Sequence, residues 1–99
     1  MISRQWRGLA KPSHVEKYVD HLLQDTFPKL QKIPGFVSGS ILRRNLPNGV
    51  EFLIVTIWES VDAIKRFAGT DVETAIVPLS VQEMMVDYDN RVRHYEIVQ

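Results

Sequence analysis

Val50 to Trp58, VEFLIVTIW, constrains this chain more than any other stretch. It is rich in β-branched and aromatic residues, and apolar side chains occupy both parities. A strand of that kind has no wet side, so something must cover each face. In a chain of 99 residues the helices can cover one face. The other face then calls for a second copy of the chain. Length points the same way: a single domain this short buries only about 60–65% of its unfolded surface and gains from oligomerisation.

The remaining elements are read outward from that strand. Ile2 to Leu9 is expected to be the first strand, with Ile2, Arg4 and Trp6 on one parity and Ser3, Gln5, Arg7 and Leu9 on the other. Lys11-Pro12-Ser13 is a helix entrance, and Ser13 with Glu16 matches a capping box. Val15, Tyr18, Val19, Leu22, Leu23, Thr26 and Leu30 recur at helical spacing, and Pro28 is expected to kink or end that helix. After the turn Ile33-Pro34-Gly35 comes a strand from Phe36 to Leu46, where Gly39 signals a bulge or a close backbone approach. Pro47-Asn48-Gly49 is a hairpin connector into the third strand. Ser60 caps a second helix with Val61, Ile64, Phe67 and Ala68 inward, and Gly69 ends it.

Asp71 to Val77 reads as a short helical piece stopped by Pro78. Ser80 with Glu83 repeats the capping-box pattern, ahead of a helical apolar face of Val81, Met84, Met85 and Tyr88. Arg91 to Val98 is the fourth strand. The order β-α-β-β-α-β is the split βαβ plan, giving an α+β fold of ferredoxin-like type over residues 1–99. It is an antiparallel sheet with both helices on one face. The bare face must then dimerise into an α+β barrel, two sheets stacking about 10 Å apart.

Composition excludes several classes. Twelve Lys and Arg balance twelve Asp and Glu, so no net field recruits nucleic acid or a membrane surface. There is no cysteine, hence no disulfide and no thiolate chemistry. Arg4 and Arg7 interrupt any leader-like apolar stretch, and no apolar run approaches the roughly 20 residues that span a bilayer, so a cytoplasmic location is expected. His14 and His21 lie almost two helical turns apart, about 10.5 Å of rise, too far for one metal ion without further ligands. They read as a solvated helix flank, and no metal site is expected.

Five segments together resemble the antibiotic biosynthesis monooxygenase family. They are Trp6-Arg7-Gly8, Ile33-Pro34-Gly35-Phe36, Val50-Glu51-Phe52 through Trp58-Glu59-Ser60, Ala63 to Gly69, and Val92-Arg93-His94-Tyr95-Glu96. The resemblance implies a homodimer with one pocket per subunit between sheet and helices. Some members oxidise polycyclic phenols or anthrones with molecular oxygen and no cofactor; others degrade haem. The haem degraders resemble this chain in layout, but their key positions fall here near Gln5, on Phe67 and on Val77. Valine has no lone pair for iron, which argues against haem degradation unless another histidine takes that role.

The expected function is therefore a cofactor-independent monooxygenase acting on a small aromatic or polyketide-like substrate. The alternative is a dimeric protein that holds a small apolar ligand without chemistry. His94, a strand histidine facing an apolar space, is the candidate base, and Gln5 the candidate oxyanion donor. Trp58, Phe67, Trp6, Arg7 and Tyr88 are candidate substrate contacts. At most one of Arg4 and Arg7 can face the helices; the other is expected to pair with a carboxylate such as Glu51 or Glu96.

Overall fold

A computed structural model describes all of residues 1–99. Its strands are β1 (Ile2–Ala10), β2 (Phe36–Leu46), β3 (Gly49–Trp58), β4 (Met85–Tyr88) and β5 (Arg93–Glu96). The helices are α1 (Val15–His21), α2 (Phe27–Leu30), α3 (Val61–Ala68) and α4 (Leu79–Gln82). The sheet is antiparallel, in the order β2-β3-β1-β4, and β5 also pairs with β1. The α+β fold is the expected one. No helix is long and apolar enough to cross a membrane.

The fourth strand position differs from the expectation. Two short strands fill it end to end, β4 against Gly8–Ala10 and β5 against Ile2–Gln5. Between them the chain leaves the sheet, and the segment expected to be helical, Asp71 to Val77, comes in alongside. Thr74 bridges Arg91, and Val92 N donates to the Glu73 carbonyl at 2.8 Å. The second expected helix face is likewise corrected. Only Leu79–Gln82 is helical there, no side-chain cap forms, and Met85 and Tyr88 lie on a strand.

The first helical stretch runs through Pro28 rather than stopping at it. A π turn, Leu22–Thr26, precedes the proline, and α2 follows. Proline lacks the N–H of a regular ladder, and the wider turn accommodates that loss. The Ser13 cap does not form; its hydroxyl lies 2.9 Å from His14 Nδ1 instead. The Ser60 cap does form, accepting from Ala63 N at 3.2 Å. Gly39 is a close approach: a Cβ there would overlap the Phe27 ring. The bulge lies just before it, between Phe36 and Ser38.

Register assigns the two faces of the sheet. Arg4, Trp6, Phe52, Ile54, Thr56 and Trp58 face the helices; Phe52 and Trp58 are fully buried. One core cluster joins Tyr18, Leu22, Phe52, Ile54, Val81, Met84 and Met85. A second joins Leu30, Trp58, Ala63 and Ile64, while Val61 stays exposed, contrary to its expected inward position. The other face carries Leu53, Val55 and Ile57 between Ser38 and Ser40 on one side and Ser3 and Gln5 on the other. Leu42 and Tyr95 extend it and are 50% and 52% exposed. Within one chain nothing covers this face.

Candidate functional site

A cavity of about 90 Å³ lies between sheet and helices. Arg4, Trp6, Ile54 and Thr56 form its floor on β1 and β3. Tyr18, His21, Leu22 and Thr26 descend from α1 and the π turn. Phe67 of α3 and the Ile76–Pro78 segment complete the walls.

Arg4 is the central polar group, and only 5% of it is exposed. Its Nη1 donates to the Val72 carbonyl and faces His94 Nε2 at 3.0 Å. Its Nη2 donates to the Thr74 carbonyl at 2.8 Å. The guanidinium lies over the Phe67 ring, 5.5 Å from its centre. Burial pushes its pKa down to about 10, so it remains a cation near neutrality. No carboxylate neutralises it. Arg7, Arg44 and Arg91, by contrast, each sit on an acid.

A guanidinium has only donors, so His94 Nε2 must be the acceptor and His94 is neutral, with its proton on Nδ1. Burial first, and the Arg4 charge second, hold the His94 pKa below the ordinary imidazole value, with Glu73 opposing. The sign follows. A pKa depressed by folding contributes stability that is present above the unfolded value of about 6.5 and lost as pH falls through the folded value. Denaturation midpoints measured from pH 8 to pH 5 are therefore expected to fall on acidification, and to fall less in His94→Gln. Parallel profiles for the two proteins would show that the contact does not exist.

The expected site residues separate. Trp6 and Phe67 line the cavity. Trp58 does not; it is fully buried beneath Phe67, whose ring stacks on it at 6.0 Å. Tyr88 packs against the core opposite Gly8. His94 stands behind Arg4 rather than in the cavity. Gln5 and Arg7 lie on the opposite face of the sheet, since they take the other parity of β1. Gln5 reaches Ser3 Oγ at 3.3 Å, and Arg7 Nε donates to Glu51 at 2.7 Å. Neither can touch a ligand held on the helix side of the same sheet.

Sequence reasoning missed His21 and Tyr18. Tyr18 was legible as part of the apolar helix face; it packs edge-on against Phe52 at 4.9 Å, and burial pushes its phenol pKa up. Its hydroxyl has no hydrogen-bond partner in the chain, yet no buried side-chain polar atom is left unsatisfied, so that oxygen is not sealed off. His21 was read as solvated flank. The structure turns it inward at the start of the π turn, with Nε2 3.9 Å from Asp25. No group of three or more His, Asp or Glu side chains gathers as a metal site.

The sequence matches the family described as antibiotic biosynthesis monooxygenase over residues 1–78. No curated protein matches it. Among solved structures it is similar to SnoaB, a cofactor-independent oxygenase from Streptomyces nogalater, in its N63A mutant form. That match has 14% identity, TM-score 0.68, and covers 99% of this chain and 93% of that one. It is also similar to the haem degrader MhuD from Mycobacterium tuberculosis, at 15% identity and TM-score 0.61, covering 100% and 97%. A third is the monooxygenase from ActVA-Orf6 of Streptomyces coelicolor, in complex with nanaomycin D, at 15% identity and TM-score 0.61, covering 95% and 82%. At such identities the likeness speaks for the shared fold.

Proposed function

Because the chain belongs to the antibiotic biosynthesis monooxygenase family, we propose that it oxidises a small, electron-rich aromatic substrate with molecular oxygen in the cavity between sheet and helices. The observation that carries this reading is Arg4, a buried cation without a carboxylate, in an apolar cavity that also holds one imidazole, His21. Such a space favours a substrate anion over its neutral form. His21 accepts a proton from a ring hydroxyl or an activated CH₂. The resulting anion spreads its charge over the ring, toward Arg4. Oxygen takes electrons from it and bonds to the carbon, and the hydroperoxide so formed loses water. A CH₂, or a ring C–H together with the conjugated O–H, gives up two hydrogens and its carbon becomes C=O; one oxygen atom stays in the product, and the other leaves as water with those hydrogens. His94 acts through Arg4 as a positioning residue. Trp6 and Phe67 wall the ring and exclude water.

The uncovered sheet face supports a homodimer, two copies stacking Leu53, Val55 and Ile57 together; the flanking serines are small enough to let the sheets approach.

Oxygen uptake by metal-stripped protein, with a panel of quinols, hydroxynaphthalenes and anthrone, tests the reading. Turnover of at least one member is expected, and a fall in kcat of about 10²–10⁴ in His21→Phe. No turnover with any member, or an unchanged kcat in His21→Phe, overturns it. A second reading, ligand binding without chemistry, draws on the short catalytic inventory: His94 is tied to Arg4, and one imidazole is left in the cavity. Native mass spectrometry showing a bound, unconverted metabolite would favour it. Haem degradation is the reading this cavity favours least: about 90 Å³ is far below a tetrapyrrole, and Val77 in the wall offers no ligand atom, which leaves His21 as the one imidazole there.

A further inference from the structure

Arg4 is short of partners in a specific way. A guanidinium has five N–H groups. Nη1 uses its pair on the Val72 carbonyl and His94, and Nη2 uses one on the Thr74 carbonyl. The Nε–H and one Nη2–H make no bond within the chain. Both belong to one planar group, and a carboxylate, with its two oxygens, is the acceptor that matches two such N–H donors. Only 5% of the residue is exposed, and it lines the cavity. A buried cation whose neighbours are carbonyl dipoles, a neutral imidazole and an aromatic face is incompletely compensated.

The rest of the cavity limits what can bring the missing charge. Phe67 lies under the guanidinium, and Trp6 and Tyr18 add aromatic surface to the same cavity, which suits a flat ring. The space of about 90 Å³ lies below the roughly 150 Å³ of a cavity that takes benzene, which points to one ring rather than three fused ones. His21 and Thr26 put polar atoms on the helix side, away from the sheet floor that holds Arg4.

We propose that the ligand of this cavity is a single-ring aromatic carboxylate, its carboxylate on the unused N–H groups of Arg4 and its hydroxyl toward His21. A phenol without the acid is un-ionised at neutral pH and brings no charge, so the acid is the distinguishing group. The proposal rests on the same cavity as the oxygenase reading and narrows its substrate to a hydroxylated aromatic acid.

Calorimetric titration of the full chain at pH 7 tests it, with quenching of tryptophan fluorescence as a second readout. The probes are 4-hydroxybenzoate, 4-hydroxybenzamide, phenol and a hydroxylated anthracene carboxylate. The acid is expected to bind about tenfold to hundredfold more tightly than the amide or phenol, the range of a charge-assisted hydrogen bond. The anthracene acid is expected to bind at least tenfold more weakly than the one-ring acid. In Arg4→Gln the preference for acid over amide is expected to vanish. Should that variant not fold, the acid–amide comparison on the unaltered protein decides alone. Equal binding of acid and amide, no binding of any probe, or a preference for the three-ring acid overturns the proposal. Tight acid binding without oxygen uptake would end the oxygenase reading and leave this one standing. Turnover of neutral quinols without a preference for acids would do the reverse.

Discussion

Trp58→Ala is expected to cost about 3–5 kcal/mol of folding stability, the range for truncating a buried aromatic. Trp58 ends β3 on the helix face and has no exposed surface. Phe36 meets it edge-on at 5.2 Å, Phe67 stacks on it at 6.0 Å, and Leu30, Ala63 and Ile64 close the cluster. Its Nε1 donates to Thr56 Oγ1 at 2.9 Å, so even its polar atom is satisfied. A domain of this length has about 5–15 kcal/mol in total, so roughly a fifth or more of its stability goes with one side chain. The loss reaches the cavity as well. Phe67 rests on the indole and in turn lies beneath Arg4, so a void under Phe67 loosens the guanidinium. Urea denaturation measures the first effect, against Val61→Ala as the control; Val61 is 43% exposed and is expected to change by less than about 0.5 kcal/mol. A Trp58→Ala protein within about 1 kcal/mol of the parent would mean the second cluster is not packed as described.

The same residue shows where sequence reading stops. A tryptophan at the end of an apolar strand is equally compatible with core and with pocket wall, because composition does not say which neighbours arrive. Parity was legible on β3, and the expected order of the main elements holds. What parity could not supply was which side the helices take. That one missing bit put Gln5 and Arg7 among the site residues; Arg4 takes the helix side instead. Met85 and Tyr88 illustrate a different limit. Three residues apart, they look helical together with Val81 and Met84. In the structure a bulge leaves Val86 without a partner, since Leu9 pairs with Asp87 and Ala10 with Met85. The extra residue lets both side chains face one way from a strand, and so reproduces a helical spacing. His21 was hidden for a related reason: the π turn that begins after it shifts which residues of the helix look inward, and no residue type announces such a turn.

Two acidic substitutions on β3 are expected to fail differently, and the difference tests the proposed dimer. Phe52→Asp puts a carboxylate on the helix face among Tyr18, Met84 and Met85, at a position with no exposed surface. An unpaired charge there costs several kcal/mol by order of magnitude, on top of the lost ring, and the chain is expected not to fold. Ile57→Asp lies five residues on, on the opposite parity, beside Ser3 and Ser38. In a single chain that position reaches water, so the substitution is expected to leave a folded protein. In a two-fold dimer it places one carboxylate from each copy into the shared apolar layer. The penalty of roughly several kcal/mol per buried ion weakens association by about a thousandfold or more. Sedimentation at micromolar protein, together with circular dichroism, reads both results. A folded Ile57→Asp monomer beside a dimeric parent is the expected pair. A parent that is itself monomeric, or an Ile57→Asp protein that stays dimeric, would falsify the assignment of this face to self-association, because no charge of that size can sit unpaired between two stacked sheets and leave their affinity intact.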